Sequence, residues 1–174
     1  MGVVIVPLTL STLISACAPC VGPVTMSAVV AYESGGRAFA IGDNTARRSY
    51  FPENHAEAVI LARQLLAAGH NIDVGYAQVN SANFAAYGLD VASALEPCGN
   101  LATGSRILQR AYAGARRIYG PGATALFHAL SAYNTGGYWA GLDYARNVYV
   151  AAAALRYERA PFVHHRCVAR RTLR

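Results

Sequence analysis

Nine carboxylates make up the whole acid supply of this 174-residue chain: Glu33, Asp43, Glu53, Glu57, Asp73, Asp90, Glu96, Asp143 and Glu158. Eight of them read easily as residues of turns, helix caps or exposed helix faces. Glu33 differs, because Met26, Val29, Val30 and Glu33 fall on one face at three- and four-residue spacing, which sets a carboxylate on the apolar side of a helix in its last turn. The carbonyl end of a helix disfavours negative charge, and desolvation adds to the effect, so the pKa of such a group rises. A carboxyl still protonated near neutral pH is what a general acid requires. The plain alternative is a helix-terminal glutamate reaching water, and its company decides between the two.

That company is three short strings: Glu33-Ser34-Gly35-Gly36, then Asp73-Val74-Gly75-Tyr76-Ala77-Gln78-Val79-Asn80, then Ser131-Ala132-Tyr133-Asn134-Thr135-Gly136. Each supplies polar groups at a helix end or a glycine-containing bend, where side chains can converge on a groove. Taken singly they are weak, since Gln78 and Asn80 could tie down a loop and Tyr133 could be a core aromatic. In this order and at these spacings they are specific.

The elements that must carry these strings are mostly helices. Pro23 suits a first helical position and Gly35-Gly36 a stop, which predicts a short helix ending at the carboxylate. An Ala/Leu helix follows over Ala56–Ala68, closed by Gly69, with a loop from His70 to Gly75. Asn83–Tyr87 and Val91–Leu95 read as two short helices. Asn100 is expected to cap a longer one, in which Leu101, Leu108, Tyr112, Ala115 and Tyr119 repeat along one face. Ala123–Tyr133 is an apolar helix ended by Gly136-Gly137, and a last helix runs from about Asp143 to Tyr157. The turn-rich segment Ala38–Pro52 is the one place where strand is expected. No internal repeat or low-complexity tract occurs.

Composition narrows the classes. Hydrophobic residues are 54% of the chain and charged ones 14%, which argues against intrinsic disorder, and no apolar stretch after the first residues reaches the roughly 18 to 20 needed to cross a bilayer. An integral membrane protein is not expected. All fifteen basic residues are Arg; the last 17 residues hold five against one glutamate, a net +4, leaving +2 for the rest of a chain of net +6. Nucleic-acid binding wants a concentrated basic face, so no specific nucleic-acid partner is expected. His164, His165 and Cys167 lie in that basic tail, where three donors without a rigid frame make a poor metal site.

The four cysteines, Cys17, Cys20, Cys98 and Cys167, show no zinc-finger spacing and suit one or two disulfides in an oxidising compartment, with three pairings open. No charged side chain precedes Glu33, and Val3–Ala16 is a moderately apolar run. It resembles the core of a secretory signal lacking its basic leader; Ile14-Ser15-Ala16-Cys17 also resembles a bacterial lipobox, which would lipidate Cys17; a third reading is a buried first helix with Pro7 near its start. The expected division is a signal-like or first-helix segment over 1–16, one domain over 17–157 and a basic tail over 158–174. Export is expected, and lipid anchoring is not.

Taken together, Glu33-Ser34, Gly75–Asn80 and Ala132-Tyr133-Asn134 resemble the motifs of the goose-lysozyme-like lytic transglycosylases, most closely the small periplasmic enzymes that accompany type IV secretion and conjugation machinery. The likeness extends through Cys17-Ala18-Pro19, Ala40-Ile41-Gly42, Asn83-Phe84, Pro97-Cys98 and Asn100-Leu101-Ala102, from about Cys17 to Ala154. It implies a mainly α, lysozyme-like single domain with a glycan-binding cleft and at most a small β element. It further implies cleavage of peptidoglycan strands between N-acetylmuramic acid and N-acetylglucosamine without water, giving 1,6-anhydro ends, and no metal or cofactor.

By the same resemblance Glu33 is the single catalytic carboxylate and Asp73 braces its loop. Ser34 hydrogen-bonds or orients Glu33, Gly75 belongs to the cleft, Gln78 and Asn80 contact sugar or shape it, and Tyr133 with Asn134 lines it and holds the acid. Tyr144 belongs to the last shared helix. A Cys17–Cys98 disulfide is the preferred pairing and competes with lipidation of Cys17, leaving Cys20 and Cys167 for each other. The family's usual Leu-Met between Gly and Gln is Tyr76-Ala77 here, and without that Met the cleft has one apolar surface fewer to offer a sugar. Two rivals stay open: a hydrolytic muramidase of the same fold, and a non-catalytic wall-binding module that recruits secretion components.

Overall fold

The computed structural model describes residues 9–157. Eight helices and four short strands follow in the order α1 (Leu10–Cys17), α2 (Pro23–Ser34), β1 (Ile41–Asp43), β2 (Arg48–Tyr50), α3 (His55–Ala67), β3 (Ile72–Val74), β4 (Val79–Asn80), α4 (Phe84–Tyr87), α5 (Val91–Leu95), α6 (Pro97–Tyr119), α7 (Ala123–Thr135) and α8 (Leu142–Tyr157). The architecture is mainly α with one small antiparallel sheet, as the periodicity and the resemblance lead one to expect.

Local signals account for most helix ends. Pro23 occupies the first turn of α2, and Gly35, at φ 59°, caps its end through an N–H donated to the Ala31 carbonyl. The Asn54 side chain accepts from the Glu57 N–H at the start of α3, and Asp90 with Ser93 forms a reciprocal capping box on α5.

Two expectations need correcting. Strand is not confined to Ala38–Pro52: β3 lies in the segment His70–Gly75 read as loop, β4 follows just after it, and the sheet runs β2-β1-β3-β4 with Gly42 opposite Asp73 and Asp73 opposite Asn80. Three residues in one strand and two in the other are too few to show alternation; pairing with β1 makes them strands. Nor does Asn100 cap a helix. The Glu96 carboxylate caps α6 by accepting from Gly99 N–H, and Asn100 sits one turn inside, fully buried. An asparagine's usual preference for caps gives way here to tertiary hydrogen bonds.

Two apolar clusters flank α2. One gathers α1, α3, α5, the sheet and the first turns of α6, with Met26 and Val30 of α2; the other lies between α6, α7 and α8, with Ala28 and Val29. Helix α2 therefore buries apolar residues on two sides, Met26 and Val30 toward one cluster and Ala28 and Val29 toward the other, which leaves its C-terminal turn at the seam between two lobes. The 23-residue α6, about 34 Å long, runs through both.

At the N-terminus, α1 packs into the first cluster through Ile14, 1% exposed, and passes through the expected division at residues 16 and 17. The Cys17–Cys98 disulfide ties its last residue to the first turn of α6 and takes the sulfur that a lipid anchor would need. Cys167, the expected partner of Cys20, lies outside the described residues, as do His164, His165 and the rest of the basic tail.

Candidate active site

Glu33 is the penultimate residue of α2, set where the two lobes meet, and its Oε1 accepts a 2.6 Å hydrogen bond from the Tyr144 hydroxyl of α8. Tyr144 is 6% exposed and is held edge-on by Tyr32, with ring centroids 5.1 Å apart. Burial pushes the Glu33 carboxyl up to about 7 against the pull of the Tyr144 hydroxyl, and the Asp73 carboxylate adds to the rise. The sequence argument from the helix end and desolvation thus arrives at the right direction, with burial as the leading cause. The Tyr144 phenol is itself pushed far above its ordinary range, by burial first and then by the Glu33 charge, so it stays a hydrogen-bond donor.

A cleft of about 900 Å³ opens from Glu33 between the lobes. Asn44, Asp73, Gln78 and Asn80 form its sheet side, Arg110 and Arg117 stand on the α6 wall, and Tyr133, Asn134 and Tyr138 come from α7 and the segment after it. A smaller recess of about 220 Å³ continues past Glu33 and Gln78 toward Arg37 and Phe51. Glu33 and Gln78 border both spaces, so a polymer running from the cleft into the recess passes the carboxyl.

The β3–β4 turn is built to hold this geometry. Gly75, at φ 78°, faces Asn100 so closely that a Cβ there would sit 2.4 Å from Asn100 Nδ2, so the residue shapes the turn and does not line the cleft. Asn100 donates to the Val74 and Ala94 carbonyls at 2.8 Å each and accepts from Ala77 N–H at 2.8 Å. Gln78 adopts φ 44°, and its Nε2 donates to the Gly75 carbonyl at 2.8 Å and the Ala40 carbonyl at 3.1 Å, fixing the amide at the cleft floor. Backbone strain of this kind persists only where its surroundings hold it.

Asp73 accepts from Asn44 Nδ2 at 2.7 Å and from Asn80 Nδ2 at 2.8 Å, while Asn71 exchanges amide hydrogen bonds with Asn80. Burial raises the Asp73 pKa and the two amides oppose that rise. The carboxylate is thus braced by its own strand neighbours, the role the resemblance implies for it.

Three contacts differ from those expected. Ser34 does not bond Glu33: its hydroxyl donates to the Tyr76 carbonyl at 2.9 Å, with the Val30 carbonyl at 3.1 Å as second acceptor, and so pins the β3–β4 turn to α2. Tyr133 does not hold the acid either; its hydroxyl donates to the Ala77 carbonyl at 2.6 Å, and Tyr144 takes the role assigned to it. The Tyr133 hydroxyl is spent on the β3–β4 turn, which leaves the carboxyl to the tyrosine of α8. Ala77 is fully buried against Gly104, where a Cβ would lie 2.4 Å from the Ala77 methyl, so this position packs inward and does not face a sugar.

Sequence reasoning did not find Asn44, Tyr138, Arg110 or Arg117 as cleft residues. For the arginines a signal existed: a seven-residue interval on one long helix, with Ala113 and Gly114 between them. Among the described residues no cluster of three or more His, Cys, Asp or Glu side chains could hold a metal, and no helix is long and apolar enough to cross a membrane.

The chain matches the family model for the transglycosylase SLT domain over residues 14–156. It is 38% identical over 141 residues to "Protein virB1" of Rhizobium radiobacter, covering 80% of this chain and 59% of that one. It is 41% identical over 126 residues to "Type IV secretion system protein virB1" of Brucella abortus, covering 72% of this chain and 53% of that one. The chain thus spans somewhat more than half the length of these curated relatives. No solved structure matches it.

Proposed function

The chain belongs to the transglycosylase SLT-domain family, and from that premise we propose that it is a peptidoglycan lytic transglycosylase with Glu33 as its one general acid and base. The observation that carries the reading is a single half-buried glutamate, its pKa raised to about 7 and its carboxyl bonded by Tyr144, where a large cleft adjoins a smaller recess.

With a strand in the groove, Glu33 gives its proton to the oxygen bridging N-acetylmuramic acid and N-acetylglucosamine, and the bond from that oxygen to the muramyl C1 breaks. The substrate's N-acetyl oxygen shares the positive charge at C1. The ionised Glu33, now favoured by the Tyr144 hydroxyl, accepts the proton of the muramyl 6-hydroxyl as that oxygen bonds to C1. A 1,6-anhydro ring closes, and the carboxyl returns to its acid form with no water consumed. Asp73 is taken up by two amide donors, which argues against its serving as the second carboxylate of a two-acid hydrolase.

The Cys17–Cys98 disulfide suits an oxidising compartment, and the periplasm is where this reading places the protein. The name of the Brucella relative suggests the setting, local opening of the wall for a type IV secretion apparatus.

Mass spectrometry of muropeptides released from purified peptidoglycan tests the reaction. The unmodified chain is expected to give anhydro-muramyl ends and the Glu33→Gln variant none. Reducing muramic acid ends would select a hydrolase instead, and glycan binding without products from either protein would leave a wall-binding module.

A further inference from the structure

Arg110 and Arg117 stand seven residues apart on α6, so they share one face of the helix about 10 Å apart along its axis. Both are exposed and both line the cleft, with the small residues Ala113 and Gly114 between them. Among the described residues neither has an ion pair, a hydrogen bond or a ring contact; the two ion pairs present are His70–Asp43 and Arg146–Asp143. Two other arginines are engaged, Arg37 over the Phe51 ring and Arg106 over the Tyr87 ring.

The cleft's own acids do not serve these two cations. Asp73 is held by the Asn44 and Asn80 amides, and Glu33 by Tyr144. Two guanidiniums thus share one wall of a groove with no carboxylate of the described residues paired to either, an arrangement that favours an anionic ligand. Guanidinium groups pair with carboxylates in a bidentate way, which suits a planar acid better than a neutral sugar hydroxyl.

We propose that Arg110 and Arg117 bind the carboxylates of the peptide stems carried by the glycan, and that the chain prefers stem-bearing strands to bare ones. This inference rests on the peptidoglycan reading above. The repeating disaccharide is uncharged once the muramyl lactyl group is amidated, so the stems hold the substrate's negative charge. An extended peptide advances about 3.3 Å per residue, so the 10 Å interval spans a segment of about three residues, within which a stem carries more than one carboxylate.

The test uses the full chain with Glu33→Gln, so that strands are bound and not cut, and measures affinity calorimetrically for strands bearing stems and for the same strands stripped by an amidase, with the lactyl carboxylates that stripping frees capped as amides. Stem-bearing strands are expected to bind about tenfold tighter, the order of two ion pairs at an open surface. Adding Arg110→Ala with Arg117→Ala is expected to bring that ratio near one, and raised salt to shrink it. Lys at both positions should keep part of the ratio as point charges.

Equal affinity for the two kinds of strand, or an equal loss on both in the double variant, overturns the inference and leaves the function standing. Failure of the unmodified chain to bind or cut either strand overturns the function reading, and the inference with it. Both side chains are exposed, and an unchanged thermal melt of the variants checks that folding is intact.

Discussion

Tyr144 and Glu33 set the chemistry of this groove together, and their pairing fixes a pH dependence. Protonated Glu33 is the acid that starts the reaction, so cleavage is expected to fall as pH rises through about 7, where the folded protein's carboxyl loses its proton. The Tyr144 hydroxyl stabilises the ionised form, so removing it raises the Glu33 pKa further. Tyr144→Phe is therefore expected to shift the descending limb upward by about one pH unit, the equivalent of one hydrogen bond of about 1 kcal/mol, and to lower the maximal rate through loss of orientation. A pH–rate profile of the variant beside the parent reads both effects; a limb that stays in place would take Tyr144 out of its orienting role. The sequence makes Glu33 legible because its three- and four-residue spacing to Met26, Val29 and Val30 sets it on an apolar face. It does not reveal which tyrosine holds the carboxyl, since Tyr144 lies 111 residues away and meets it only by the packing of α8 on α2.

At the scale of elements, the β3–β4 turn supplies the cleft floor, and Asn100 of α6 is what holds that turn. Asn100→Ala would leave the Ala77 N–H and the Val74 and Ala94 carbonyls without their partner in a buried setting. The expected cost is about 3 kcal/mol or more, read by urea unfolding monitored by circular dichroism. A loss below about 1 kcal/mol would mean that the turn finds other partners and that α6 is not its anchor. Helix ends are readable where the signal is local, as with Pro23, Gly35 and Asn54. The strands β3 and β4 are not, because so short a segment carries no period, and Asn100 reads as a cap because cap preference is a local rule that three long-range hydrogen bonds override.

For the whole molecule, the decisive arrangement is two apolar clusters with α2 between them, the first of them cross-tied by a disulfide spanning 81 residues of sequence. Closing so long a loop restricts the unfolded chain, and reduction is expected to cost about 4 kcal/mol, or about 10 °C of melting temperature. Calorimetric melts with and without a thiol reductant measure this; coincident melts would show that the α1–α6 contact stands without the bond. By itself the sequence determined that the chain is helical and that Glu33 is the acid worth singling out, and both are written in local spacing and residue type. That three strings of polar residues at helix ends and bends share one groove is what the family resemblance implies. Tertiary structure alone decided that Ser34 and Gly75 support the turn instead of facing the groove, that Tyr144 rather than Tyr133 grips the carboxyl, and that Arg110 and Arg117 stand on the opposite wall. Each of these depends on which face of one element meets another across a long stretch of chain, and no local pattern encodes that.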